Sequence, residues 1–169
     1  MTHREIYDKF SQEIAKLVGL KCWSVIAGKG TGSHIHMGFG AKIARQIPLT
    51  NPNLTEDERL FDAELTLFVT GAAWRVENSQ AVLCTDTDEN CSGRYNALKN
   101  LAGKKVVLAQ LFFPSFDLVL AFTGGVRFQI FCDFAYDAPD TWDDENYLFF
   151  TPKTIFKVGL SSQITIEES

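Results

Sequence analysis

Histidine is scarce in this chain, with three in 169 residues, all of them within the first 36. A triad built on His beside Ser or Cys has little to draw on, and neither does a histidine-rich metal centre. No G-x-S-x-G string occurs. The four cysteines, Cys22, Cys84, Cys91 and Cys132, contain no C-x-x-C pair, which argues against a zinc ribbon or a thioredoxin-like site. No apolar run approaches membrane-spanning length. The opening M-T-H-R-E-I-Y-D-K-F is charged and amphipathic, unlike a secretory leader. These absences predict a cytoplasmic chain with reduced thiols, no membrane, no metal and no cofactor.

Lys and Arg are missing from one stretch. The segment Asp133 to Glu145 holds Asp133, Asp137, Asp140, Asp143, Asp144 and Glu145 with no positive charge among them. These six exceed the formal net charge of −5, so the rest of the chain is slightly positive. An acidic protein with its charge concentrated in one loop repels phosphate and suits a basic partner, so nucleic acid is not expected.

What is present is a globular composition. Hydrophobic residues make up 46% of the chain, and its fourteen Phe fall mostly in short alternating runs. That pattern favours a sheet-rich core. The length suits a single domain over residues 1–169 with a sizeable core.

The first segment predicts a helix. Thr2 and Glu5 form a T-x-x-E capping box, Ile6, Phe10, Ile14, Leu17 and Val18 recur at helical spacing, and Gly19 marks a stop. Strands are expected over 21–27, 34–39, 63–70, 72–77, 81–85 and 104–113, and later over 147–151, 154–158 and 163–166. A short helix is expected over 95–102, with Ser92 as its cap. Residues 48–62 read as a long polar loop with at most one helical turn.

Residues 116–133, F-D-L-V-L-A-F-T-G-G-V-R-F-Q-I-F-C-D, predict a hairpin. A three-residue loop, Thr123-Gly124-Gly125, opposes Phe122 to Val126 and Leu120 to Phe128, which keeps the large apolar side chains on one face. Gly125 then supplies a left-handed residue. Turns between the strands are too short for parallel crossovers. The expected fold class is α+β: a mainly antiparallel sheet or two-sheet sandwich with an N-terminal helix and one short internal helix.

Several motifs invite chemistry and are answered by plainer readings. G-K-G-T-G-S at 28–33 resembles a phosphate loop, but Trp23 stands where its first Gly should, and a strand-like H-I-H-M-G-F follows instead of a helix. A flexible connection fits better. His34 and His36 share a strand face, yet they lack further ligands, so an exposed polar face is expected. Asp86, Asp88 and Asn90 begin a calcium loop whose sixth and twelfth positions are Cys91 and Ala97, so a solvated turn is expected. The acidic loop interleaves its charges with Phe134, Tyr136 and Trp142, which either pack on a sheet edge or face a partner.

The strings W-S-V-I-A-G-K-G-T-G-S, A-E-L-T-L-F-V-T-G-A-A-W-R-V-E, F-D-L-V-L-A-F-T-G-G-V-R-F-Q-I-F and Y-L-F-F-T-P span most of residues 23–152. Their order resembles that in small bacterial immunity-type proteins associated with polymorphic or contact-dependent toxins. The shared motifs are strand patterns, mainly a D-L-x-L-x-F-x-x-G hairpin and a W-R strand. The resemblance implies a small cytosolic α+β protein that binds and neutralises a toxin, with no catalysis. It carries over no site residues.

The residues expected to face a partner therefore come from charge and aromaticity: Tyr136, Asp137, Asp140, Trp142, Asp143, Asp144 and Glu145, with a basic toxin as partner. The alternative is a small enzyme or ligand-binding protein using the glycine loop 28–33 and the His34/His36 strand. That alternative requires His34, His36 or Ser33 to converge with carboxylates in a cleft.

Overall fold

The computed structural model describes residues 1–28, 34–87, 91–132 and 145–169, with backbone alone for 91–94. In chain order it begins with α1 (His3–Ala15), β1 (Cys22–Ile26), β2 (Ile35–Ala44), α2 (Glu56–Leu60) and β3 (Phe61–Val69). Next come β4 (Ala73–Glu77), β5 (Val82–Thr85), α3 (Cys91–Lys99), β6 (Val106–Leu111), β7 (Leu118–Phe122) and β8 (Val126–Phe131). Then β9 (Glu145–Phe150), β10 (Thr154–Gly159) and β11 (Ile164–Glu168) close the chain, with one 3-10 turn at Leu160–Ser162.

The strands form two antiparallel sheets. One has the order β1-β2-β3-β9-β10-β11 and the other β5-β4-β8-β7-β6. Their apolar faces meet in one core, with Met37, Phe39, Leu67, Phe149 and Phe156 from the first sheet and Val76, Leu118, Leu120, Phe128 and Ile130 from the second. The sheets also touch at one corner, where Lys21 bridges Lys105. There the Cys22 N–H donates to the Lys104 carbonyl at 2.9 Å, and the Val106 N–H donates to the Leu20 carbonyl at 2.9 Å.

Helix α1 starts at its expected capping box. Thr2 Oγ1 accepts the Glu5 N–H at 3.2 Å, and Glu5 Oε2 accepts the Thr2 N–H at 2.7 Å. Phe10 and Ile14 face the core. Phe10 stacks on Phe156 with centroids 4.5 Å apart and also meets Tyr147 and Phe149. Full burial of such a ring contributes roughly 1.5–3 kcal/mol, so Phe10 is the main anchor of this helix.

The hairpin takes the predicted register, with Phe122 opposite Val126 and Leu120 opposite Phe128. Gly124 and Gly125 both have positive φ, 86° and 75°.

Two expectations need correction. The strand expected to end at Phe39 runs on to Ala44, because a bulge between Phe39 and Lys42 carries the pairing with β3 past Gly40. Gly40 has φ 78°, and the Ala41 N–H donates to Glu64 Oε2 at 3.0 Å, which replaces the interrupted ladder bond. The second is the internal helix expected over 95–102, which runs Cys91–Lys99 and so holds Ser92 inside it rather than as its cap. The polar stretch 48–62 has the one helical turn expected of it, α2, with a capping box of its own. Thr55 Oγ1 accepts the Glu58 N–H at 3.2 Å, and Glu58 Oε2 accepts the Thr55 N–H at 2.9 Å. T-E-D-E at 55–58 matches the same T-x-x-E pattern as the N-terminus.

No helix among the described residues is long and apolar enough to cross a membrane.

Candidate functional site

The residues expected to act fall in two regions: the frame that carries the acidic segment, and a polar cluster on the outer side of β1 and β2 with a cleft beside it.

Of the seven residues expected to face a partner, Tyr136, Asp137, Asp140, Trp142, Asp143 and Asp144 lie outside the described residues. So do Phe134 and the loop residues 29–33 and 88–90. Glu145 is described. It opens β9 half-buried, with its carboxylate 3.9 Å from Lys157 Nζ. Its carbonyl accepts the Thr70 hydroxyl.

The acidic segment leaves β8 of one sheet and enters β9 of the other, and both departures are tied down. At Cys132 the N–H donates to Asp117 Oδ1 at 2.7 Å, and the thiol donates to the Phe116 carbonyl at 3.4 Å. At the far end Asn146 is fully buried. Its carbonyl collects the N–H groups of Thr70, Gly71 and Ala72 at 3.1–3.2 Å. Its side-chain amide donates to the Gly159 carbonyl at 2.9 Å. Two fixed ends on different sheets set the span of the connection, whatever its own conformation.

The second region is built by strand alternation. Ser24 pairs with Gly38 and Ile26 with His36, and these face away from the main core. The expected exposed polar face is only partly so. His34 is exposed, but the His36 ring is half-buried, and its Nδ1 is buried without a partner. Both imidazoles lie against Phe68, at 5.4 and 6.3 Å between centroids. The segment after β2 folds back over this face, which brings Arg45, Glu58 and Asp62 close. Arg45 Nη1 pairs with Asp62 Oδ1 at 2.5 Å, while its Nε is buried without a partner. Burial first, and then the Arg45 guanidinium, hold His36 below the ordinary imidazole value, against the opposing pull of Asp62 and Glu58. Near neutral pH it is an uncharged imidazole.

Ser24 and Glu58 are both buried, and the Ser24 hydroxyl donates to Glu58 Oε1 at 3.0 Å. Glu58 thus holds α2 at one oxygen and β1 at the other. This hydroxyl is committed to the carboxylate. Cys22, buried nearby, has its thiol pushed up to about 12 by desolvation, which rules it out as a nucleophile near neutral pH. The convergence of His36 with carboxylates meets one requirement of an enzyme, and among the described residues the Ser24 hydroxyl is held by Glu58 and the Cys22 thiol keeps its proton.

Beside this cluster lies a cleft of about 520 Å³. Its walls come from β1, the stretch 51–58 and α3, and include Trp23, Asn51, Asn53, Glu58, Tyr95 and Lys99. Gly28, where the glycine-rich loop begins, lies on its rim. His36 and Ser24 are not among the lining residues, so Glu58 is the link between cluster and cleft. Among the described residues no three of His, Cys, Asp and Glu gather as a metal site.

Sequence reasoning missed Trp23, Ser24 and Glu58. The second T-x-x-E box was the one available signal for Glu58. Ser24 sits inside an apolar strand, C-W-S-V-I, where a polar residue needs a partner from elsewhere.

Searches against protein-family models, curated proteins and solved structures find no match to this chain.

Proposed function

We propose that this chain is a non-catalytic, cytoplasmic binding protein of the immunity type, which takes a basic protein toxin on the acidic segment between β8 and β9. The observation that supports this reading is the frame of that segment. Its ends are held by Asp117 and Phe116 on one side and by the Thr70–Ala72 amides on the other. A connection fixed at both ends loses less freedom on binding than a free tail would. Its sequence supplies six acids for electrostatic steering and Tyr136 and Trp142 as aromatic anchors. Toxins that cleave nucleic acid carry positive charge, so the sign of the loop suits that class.

The experiment is a binding measurement against a basic protein encoded beside this chain. Replacing Asp140, Asp143 and Asp144 together with Asn slows association, most strongly at low salt, and leaves the fold intact. Trp142→Ala mainly speeds dissociation. If both variants bind with the parent's kinetics, the acidic segment is not the interface and the proposal fails.

A further inference from the structure

We infer that the cleft between β1, residues 51–58 and α3 is a small-molecule site for a flat, largely apolar compound bearing one anionic group. The inference does not depend on a protein partner at the acidic segment.

A volume of about 520 Å³ lies in the range of small-ligand pockets. Val25, Ile26 and Ala27 give it an apolar wall, and Trp23 and Tyr95 add aromatic surface, on which a flat body packs.

The charged groups around the cleft differ in whether they are already engaged. Both oxygens of Glu58 are committed, one to the Ser24 hydroxyl and one to the Thr55 N–H. Lys42 lies above the Trp23 ring at 5.2 Å but is paired with Asp57 at 2.6 Å. Lys99 differs, because it lines the cleft and meets no carboxylate among the described residues. An anionic group on the ligand completes that cation.

A carboxylate or sulfonate on an aromatic frame supplies that anion together with the flat body.

The probe is 8-anilinonaphthalene-1-sulfonate, titrated by fluorescence into the native chain, beside the uncharged N-phenyl-1-naphthylamine. The expected result is saturable binding of one sulfonate per chain. Lys99→Gln should weaken the sulfonate about five- to tenfold while leaving the uncharged analogue within about twofold. Ala102→Phe, at an exposed position on the cleft wall, blocks the cavity and should abolish binding of both probes without touching Trp23 or Glu58. Lys153→Gln, remote from the cleft, is the control. Sulfonate binding that is unsaturable, or that survives Lys99→Gln and Ala102→Phe unchanged, would place the dye on exposed apolar edges such as Val82 and Leu83 and overturn the inference.

Discussion

The Tyr147 hydroxyl donates to the Phe116 carbonyl at 2.7 Å, across the full thickness of the core. Tyr147 belongs to β9 of one sheet, and Phe116 leads into β7 of the other. Both side chains are fully buried, and Phe116 has a left-handed φ of 62°. Burial pushes the Tyr147 phenol well above its ordinary value, so it keeps its proton at any physiological pH. Tyr147→Phe should cost about 1–2 kcal/mol in urea unfolding, since the Phe116 carbonyl retains only the weak Cys132 thiol donor. A loss below about 0.3 kcal/mol would show that the bond contributes nothing net.

The hairpin carries the heaviest share of the second sheet's apolar face. Phe128 is fully buried opposite Leu120 and lies 6.0 Å from the Trp74 ring. Phe128→Ala should cost roughly 3–5 kcal/mol. Phe10→Ala should cost a comparable amount and detach α1, which thermal melting followed by helix-sensitive circular dichroism would detect. Equal melting of parent and Phe10→Ala would show that the helix does not depend on its aromatic anchor.

Glu58 serves two elements at once, so its effects should not add simply. Ser24→Ala removes one donor to its carboxylate, and Thr55→Ala removes the hydroxyl that accepts the Glu58 N–H, at about 1 kcal/mol apiece. Glu58→Ala removes the acceptor of the Ser24 hydroxyl and of the Thr55 N–H together and should cost more than either. A double-mutant cycle between Ser24 and Glu58 should give a coupling above about 0.5 kcal/mol. Zero coupling would mean that the two residues are adjacent without being linked.

His36 gives the pH dependence. Its folded value lies below the ordinary 6.5, so the unfolded chain binds the proton more readily. The associated stability is fully present above pH 6.5 and is lost as pH falls from there toward the folded value. The slope is at most about 1.4 kcal/mol per pH unit for one proton. The groups that set it are Arg45, Asp62 and Glu58. Glu5, whose value is lowered by its hydrogen bonds to Thr2, acts only below about 4.5 and so falls outside this window. Urea midpoints at pH 7.5 and 5.5 should therefore differ more in the parent than in His36→Gln.

Thiol chemistry should separate the cysteines. Cys22, at about 12 and without solvent exposure, should resist alkylation at pH 8 in the native state. Cys132 is only partly buried and should react first among Cys22, Cys84 and Cys132. Rapid native labelling of Cys22 would mean that the corner joining β1 to Lys104 opens readily.

Local patterns were legible in the sequence where one face or one cap decided the matter. The register of β7 and β8 followed from alternation, and the start of α1 followed from Thr2 and Glu5. The extension of β2 was hidden because Gly40 looks like a stop, and only the partner strand shows that it is a bulge. The candidate cleft was hidden for a different reason. Trp23, Glu58 and Lys99 are separated by 35 and 41 positions, and nothing local to any of them signals the others. Folding brings them together through the return of residues 45–60 over the β1–β2 face. His36 was visible as a candidate, but its burial was not, because the chain that covers it comes later.

The bridge between Lys21 and Lys105 has a colloidal consequence. Two separate sheets would present four outer strands, each able to recruit a strand from another chain. Joining β1 to β6 at that corner leaves β5 and β11 as the two outer strands with no such join. Strand β5 has only four residues, and β11 ends in Glu167 and Glu168. Shortness at one end and like charge at the other are both poor templates for cross-chain pairing. An aromatic-rich chain of this kind would otherwise be prone to self-association at the concentrations of a crowded cell.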